Sequence, residues 1–160
     1  MNRAVALFAL TVLLAPVASS QDAPKYVVLD GQHAAGVLRQ CSRPSPEKVA
    51  GTWQPSESDV KELEANLPRI QQIKSTLCCN KAARVKDLSN YYRQYVGVVI
   101  GNRRVIYINA FASGILDVTD RKDRWRHEPM LACDGGDAFW GAIYDPQTKE
   151  FSQLAFNGVA

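Results

Sequence analysis

The chain has 160 residues, of which 46% are hydrophobic and 22% are charged, and its formal net charge is +3. This composition is typical of one globular domain and excludes a disordered or fibrous chain. The net charge is too small to create the positive field that attracts nucleic acid, so no nucleic-acid partner is expected.

The first twenty residues have the pattern of a cleaved secretory signal. Arg3 gives a positive start, residues 4–17 form an apolar run too short to span a bilayer, and small residues follow at 18–20. We therefore predict a signal peptide over residues 1–20 and a single disulfide-bonded domain over residues 21–160, periplasmic or secreted. No later segment has the length of a transmembrane helix, so stable membrane insertion is not expected.

The cysteine residues are Cys41, Cys78, Cys79 and Cys133. An even number in an exported chain predicts two disulfides. Adjacent cysteines rarely bridge each other, because the small ring strains the peptide between them, so no Cys78–Cys79 bridge is expected. Two pairings remain open: Cys41–Cys78 with Cys79–Cys133, or Cys41–Cys79 with Cys78–Cys133.

The segment before the predicted helix contains one expected strand and a long loop. Residues 26–29 are a β-branched run closed by an Asp-Gly pair, which predicts a strand. Residues 40–55 contain three prolines and a glycine, and this composition predicts a loop throughout.

The strongest helical periodicity follows Ser56, where acidic residues suit the positive end of a helix dipole. Apolar residues then recur at steps of three and four, at Val60, Leu63, Leu67, Ile70, Ile73 and Leu77. Because this stripe keeps its phase across Pro68, we expect one long helix that is kinked or divided at the proline. The stripe is expected to face the core.

Residues 92–100 and 104–111 are predicted to form a hairpin around a three-residue loop, with Val99 opposite Val105. That register places one aliphatic set on a single face: Val96, Val98, Ile100, Ile106, Ile108 and Ala110. It places a more aromatic set on the other face: Arg93, Tyr95, Val99, Val105, Tyr107 and Phe111. A two-residue Gly-Asn turn is the other option, and it would mix the two sets.

A second hairpin is predicted from residues 138–144 and 151–156, because Asp145 to Lys149 is a strong turn signal. With a four-residue loop, Trp140, Tyr144 and Phe151 share one face. The opposite face then holds Phe139, Ile143, Leu154 and Phe156.

The order of these elements predicts an α+β fold in which one long helix packs on a curved antiparallel sheet of four to five strands. This order resembles the cystatin-like architecture, in which an antiparallel sheet wraps a long helix. The inhibitory motifs of that family are not reproduced. The nearest match to its Gln-x-Val-x-Gly loop, residues 94–97, is one residue short and lies inside a strand, and no Pro-Trp pair exists. The resemblance therefore implies the fold but not inhibition of cysteine proteases.

A second resemblance covers the C-terminal end of the chain. The segment Cys-Asp-Gly-Gly-Asp-Ala-Phe-Trp at 133–140, Tyr144-Asp145 and the Phe-Asn-Gly at 156–158 are similar to the end of a group of small exported bacterial proteins. The function of that group is unknown, so this resemblance implies no activity.

No catalytic residue, metal site or cofactor is predicted. His33 and His127 lack a companion nucleophile motif and do not have zinc-like spacing. Asp117, Asp120 and Asp123 lack the glycine and final glutamate of a calcium loop, so a solvated turn is favoured over calcium binding. Asp134 and Asp137 are likewise explained by a tight turn.

A basic cluster surrounds Trp125 and consists of Arg121, Lys122, Arg124 and Arg126. Cations interleaved with an aromatic ring can hold anionic sugars or phosphates by hydrogen bonding and stacking. A solvated loop, in which these cations pair with Asp120, Asp123 and Glu128, is the favoured interpretation.

The aromatic residues of the sheet exceed what one helix can cover. We therefore predict a non-enzymatic binding module that contacts a protein or an envelope glycan through the sheet face away from the helix. The candidate contact residues are Arg93, Tyr95, Tyr107, Trp140 and Tyr144. Plain packing of these rings is the competing interpretation. The alternative functions are an inhibitor of a secreted hydrolase, acting through the Gly101-Asn102 tip, and a small hydrolytic enzyme using His127.

Overall fold

The computed structural model describes residues 23–77, 79–119 and 122–159. The predicted signal peptide and Cys78 lie outside these residues. The strands are β1 Tyr26–Val28, β2 Val49–Trp53, β3 Tyr91–Ile100, β4 Arg103–Ala112, β5 Phe139–Asp145 and β6 Glu150–Phe156. The α-helices are α1 Ala34–Leu38, α2 Glu57–Asn66 and α3 Gly114–Val118, and short 3₁₀ helices include Leu67–Gln72 and Arg124–Arg126. The α+β class is confirmed, with a mixed sheet of six strands.

The sheet has the order β1-β3-β4-β5-β6, and β2 also pairs with β3. β1 runs parallel to the first half of β3, and β2 runs antiparallel to its second half, so both share one edge of β3. The segment that contains β2 was predicted to be loop. That prediction is wrong because the prolines of this segment border the strand and do not interrupt it.

Helix α2 begins as predicted, at a capping box in which Ser56 and Asp59 satisfy each other's backbone N–H groups. It ends at Asn66, and the chain continues as a 3₁₀ helix with Pro68 in its first turn. A proline in a first turn removes no helical hydrogen bond, because that N–H has no partner there. One long helix and the cystatin-like order are therefore not confirmed.

The first four residues of the predicted apolar stripe are at most 4% exposed: Val60, Leu63, Leu67 and Ile70. Ile73 and Leu77 lie beyond the 3₁₀ helix and are half-buried, so the predicted stripe is longer than the buried one. The four buried side chains pack on the sheet face that contains Tyr95, which we call the helix face. The buried side chains therefore stay on one side of the chain although the helix type changes at Leu67.

Replacing Leu67 or Ile70 with alanine is expected to lower the free energy of unfolding by about 2–5 kcal/mol each, because each change leaves a cavity in the core. Urea denaturation measures this loss. Gln72→Ala, at an exposed position of the same 3₁₀ helix, is the control and should change stability by less than about 0.5 kcal/mol. Equal losses in the control and the core variants would contradict the assignment of the stripe to the core.

The turn of the β3–β4 hairpin consists of two residues, Gly101 and Asn102, and pairs Ile100 with Arg103. Gly101 has φ +60, a conformation that glycine adopts readily. The predicted three-residue loop is therefore wrong. A slip of one residue turns the whole of β4 over relative to β3, so Tyr95 and Tyr107 lie on opposite faces of the sheet.

Both faces of the sheet are covered, which the sequence did not predict. We call the sheet face away from α2 the opposite face. On it, Leu29 and Val37 pack with Val96, Val98 and Tyr107. Farther along this face, the contacts form a second cluster of Phe111, Leu116, Trp125, Met130 and Phe139. The strands therefore lie between α2 on one side and α1 with the 125–130 segment on the other.

The β5–β6 hairpin has the predicted four-residue loop, since Asp145 pairs with Glu150. Tyr144 and Phe151 share one face, as expected, with ring centroids 4.9 Å apart, but that face is the helix face and not the face away from the helix. A bulge then shifts the register between Gly141 and Ile143. Leu154 and Phe156 consequently share the helix face with Trp140, so their predicted placement on the other side of the sheet from Trp140 is wrong.

A disulfide joins Cys41 to Cys133, whose Cα atoms are 4.6 Å apart. Both predicted pairings are wrong, because each assigned these two cysteines to different partners. The physical reason is the double coverage of the sheet: the loop after α1 and the loop before β5 lie side by side on the opposite face. The absence of a Cys78–Cys79 bridge stays a prediction, since Cys78 lies outside the described residues.

No helix in the described part of the chain is both long and apolar enough to cross a membrane.

Tryptic digestion without reduction should release one species in which residues 40–48 are linked to residues 127–149. This follows because Cys41 and Cys133 lie in those two fragments, and Arg43 precedes a proline and resists cleavage. Mass spectrometry before and after reduction checks it. A linked species that joins either fragment to the one containing Cys79 would contradict the bridge.

Candidate functional site

The five residues predicted to contact a partner are all buried, with exposures of 7% for Arg93, 2% for Tyr107 and 0% for Tyr95, Trp140 and Tyr144. Four of them lie on the helix face, and Tyr107 lies on the opposite face. The predicted open aromatic surface is therefore wrong, because α2 covers the helix face and α1 with its neighbouring loops covers the other. These side chains hold the core together.

Arg93 and Tyr95 form a buried polar cluster with Glu64 of α2. Two guanidinium nitrogens of Arg93 donate to the Glu64 carboxylate at 3.1 Å, and Arg93 Nε also lies 3.0 Å from the Tyr95 hydroxyl. The Tyr95 hydroxyl hydrogen-bonds to Glu64 as well. Burial, reinforced by the negative charge of Glu64, raises the pKa of Tyr95 well above its usual value. This cluster joins α2 to β3.

A second buried network lies on the opposite face around Arg43, which is 3% exposed. Its guanidinium donates to the side-chain oxygens of Asn109 and Asn157 and to the Tyr107 hydroxyl, the last at 3.3 Å. All three acceptors are neutral. Tyr107 and Asn109 belong to β4 and Asn157 follows β6, so Arg43 attaches the loop after α1 to the sheet.

The network continues through Asn109 to Gln94 of β3, whose side-chain oxygen accepts from Asn109 at 3.0 Å and from the Met130 N–H at 2.8 Å. The Gln94 amide donates to the carbonyl oxygens of Trp125 and Glu128. The backbone of residues 125–130 is therefore fixed to the sheet by buried polar side chains. This attachment sets the position of Trp125 and Arg126.

The candidate site is a cavity of about 420 Å³ beside Trp125, here called the Trp125 pocket. Tyr92 comes from β3, Ser113 immediately precedes α3, and the other lining residues come from α3 and from the segment that follows it. The lining consists of Tyr92, Ser113, Leu116, Asp117, Lys122, Asp123, Trp125 and Arg126.

Aromatic rings form one wall of the pocket. The Tyr92 ring centroid is 4.8 Å from that of Trp125 and 5.9 Å from that of Phe111. Such ring pairs stabilise each other beyond the area they bury. Trp125 is only 2% exposed, whereas Tyr92 is half-buried and presents part of its ring to the cavity.

Arg126 is held in place above this wall. Its guanidinium carbon lies 4.5 Å from the Trp125 ring centroid, and its terminal nitrogen is 3.4 Å from the Pro24 carbonyl oxygen. Nearby, Lys25 Nζ lies 5.7 Å from the Tyr92 ring centroid. A cation stacked on an aromatic ring is oriented before any ligand arrives.

The pocket therefore combines cations, carboxylates and a hydroxyl next to aromatic surface. Toward a ligand, Lys122 and Arg126 can donate hydrogen bonds, Asp117 and Asp123 can accept them, and Ser113 can do both. A ligand with many hydroxyl groups needs this mixture of donors and acceptors. The described residues contain no group of three side chains placed to hold a metal ion.

The sequence identified only part of this site. Lys122, Trp125 and Arg126 belong to the predicted basic cluster, and Arg124 pairs with Glu128 at 2.6 Å, as the solvated-loop interpretation expected. Arg121 and Asp120 lie outside the described residues. Tyr92 was missed because its contact with Trp125 depends on the fold. His127 is exposed and does not line the pocket, and Asp137 accepts a hydrogen bond from Asn80.

No protein family, curated protein or solved structure was found to match this chain. Functional inference therefore depends on the chemistry of the site itself.

Proposed function

We propose that this chain is an exported, non-enzymatic binding module whose Trp125 pocket holds a segment of cell-envelope glycan. The observation that carries the proposal is the aromatic wall lined by both cations and carboxylates. Export is supported by the signal pattern at residues 1–20 and by the Cys41–Cys133 disulfide, a bond that persists in oxidising compartments.

The pocket favours a sugar over an apolar ligand. Sugar hydroxyls can donate to Asp117 and Asp123 and accept from Lys122 and Arg126, while the C–H face of a sugar ring packs on Tyr92. The volume of about 420 Å³ lies within the usual range for small-ligand sites. A glycan chain can enter it one or two rings at a time.

Pre-orientation of Arg126 also favours binding as the role of this pocket. A free arginine side chain loses rotamer entropy when it binds a ligand, and the contacts of Arg126 with Trp125 and Pro24 lower that cost. An acidic group on the glycan would gain a charge-assisted hydrogen bond from it.

Arg126→Ala is expected to weaken glycan binding by about tenfold, the equivalent of about 1.4 kcal/mol. Titration calorimetry with soluble peptidoglycan fragments, an N-acetylglucosamine trimer and a galacturonate trimer measures the effect. Arg124→Ala is the matched control, because it removes the same charge from the same 3₁₀ helix at a residue outside the pocket lining.

Binding of at least one probe, with the loss confined to Arg126→Ala, supports the proposal. If none of the three probes binds, or if both arginine variants lose affinity equally, the Trp125 pocket is not a glycan site.

A further inference from the structure

A second cavity lies at the β1 edge of the sheet, between β1 and the start of α2. It has a volume of about 340 Å³, and we call it the edge groove. Tyr26 and Val28 form its sheet side, Pro55 and Val60 form its apolar base, and Glu57 and Lys61 lie at its rim.

The hydrogen bonds of β1 show which backbone groups point into solvent. Arg93 donates to the Lys25 carbonyl oxygen, and Leu29 donates to the Tyr95 carbonyl oxygen, both at 2.9 Å. In a parallel pair, alternate residues bond to the neighbouring strand, so positions 25, 27 and 29 face β3. The N–H and C=O groups of Tyr26 and Val28 therefore point away from the sheet.

These outward groups have no strand partner among the described residues, since β1 ends the sheet on this side. An exposed strand edge is a template for another strand. The edge groove adds apolar surface immediately beside it, from the half-buried side chains of Tyr26 and Val28. Tyr26 also stacks on Tyr95, with ring centroids 5.7 Å apart.

We propose that an extended peptide segment of a partner protein binds here by adding a strand to β1. Its backbone would pair with Tyr26 and Val28, and one apolar side chain would enter the edge groove against Pro55 and Val60. Only another peptide chain repeats N–H and C=O groups at the spacing that β1 presents. This site is independent of the Trp125 pocket and does not rest on the proposed glycan function.

The short edge argues against a second copy of this chain as the occupant. β1 contains three residues, so pairing two copies along it would form very few hydrogen bonds. Stable dimer interfaces bury about 1,200 Å² or more, which such a short contact does not supply. A peptide gains equally few hydrogen bonds from β1, but it can also place a side chain in the edge groove.

The test measures backbone amide exchange by NMR on the purified protein. The probes are capped hexapeptides in which threonine alternates with one apolar residue. That residue is valine, leucine, phenylalanine or tyrosine, and it differs from one peptide to the next. We expect at least one peptide to slow exchange at Tyr26 and Val28 by about tenfold, because their amides gain acceptors. The same peptide methylated on the nitrogens that face β1 should bind at least about tenfold more weakly.

Two variants separate the backbone from the side chain at the same position. Val28→Pro removes an outward N–H, which an edge strand tolerates, and is expected to weaken the best peptide by about tenfold. Val28→Thr keeps the N–H and the branched shape and should stay within about threefold of the unmodified protein. Because the methylated peptide requires no change to the protein, the test stands even where Val28→Pro fails to fold.

The proposal is overturned if no peptide protects these amides, or if the methylated peptide binds as well as its parent. Protection that appears without peptide and grows with protein concentration would instead identify a second copy as the occupant, which also overturns it.

Discussion

Replacing Arg43 with methionine is expected to lower the free energy of unfolding by about 3 kcal/mol or more. The change leaves three buried acceptors without their donor, on Tyr107, Asn109 and Asn157, and each such group costs about 1–3 kcal/mol. Methionine fills much of the same volume, so the loss reports mainly on hydrogen bonding. Urea denaturation gives the value.

Arg39→Met is the matched control, because Arg39 is an exposed arginine four residues earlier in the chain. Its effect should remain within about 0.5 kcal/mol. Similar losses for the two variants would contradict the structural role of the buried network. Gly141→Ala gives an independent check, since a Cβ atom there would lie 2.5 Å from the Tyr107 hydroxyl and 2.9 Å from Arg43 Nε. Its destabilisation should be smaller in the Arg43→Met background.

Replacing Glu64 with alanine is expected to destabilise the protein by about 3 kcal/mol. The guanidinium of Arg93, with 9% of its side chain exposed, would then keep its charge without its carboxylate partner. Arg93 is the buried member of this pair, and removing the partner of a buried charge costs more than the pair contributes, because that charge is then uncompensated. The Tyr95 hydroxyl loses an acceptor in the same variant.

Glu128→Ala tests the same chemistry at the surface, where Glu128 pairs with Arg124. Exposed pairs of this kind are worth about 0.3–0.5 kcal/mol, so little change is expected. In a double variant with Arg93→Met, the Glu64→Ala loss should be largely recovered, since no buried charge remains. Failure of this recovery would show that Glu64 acts through packing and not through Arg93.

The local features of the fold could be predicted from the sequence. Ser56 marks the start of α2, and the spacing from Val60 to Ile70 identifies the buried stripe, because both depend on residues within a few turns of one another. The fold class follows from the order of such elements. The 3₁₀ continuation after Asn66 could not be predicted from phase alone, since the stripe stays buried in either helix type.

The predictions that were wrong concern features that depend on contacts between residues distant in the sequence. The choice between two and three residues in the Gly101 turn decides the faces of β4, and neither option is excluded locally. The disulfide pairing of Cys41 with Cys133 depends on loops that meet only after the sheet has formed. Tyr92 was missed for the same reason, because it meets Trp125 only when the segment after α3 packs on the sheet.

The shared edge of β3 also constrains the order in which the chain can fold. β1 and β2 are synthesised first, yet both pair with a strand that begins at Tyr91, and the disulfide spans 92 residues. Contacts this distant in sequence slow folding, because the intervening chain must be closed before they form. The β3–β4 hairpin is the local nucleus that a growing chain can make early. The two N-terminal strands can pair only after this hairpin forms. A nascent chain shorter than about one hundred residues has no sheet with which they could pair.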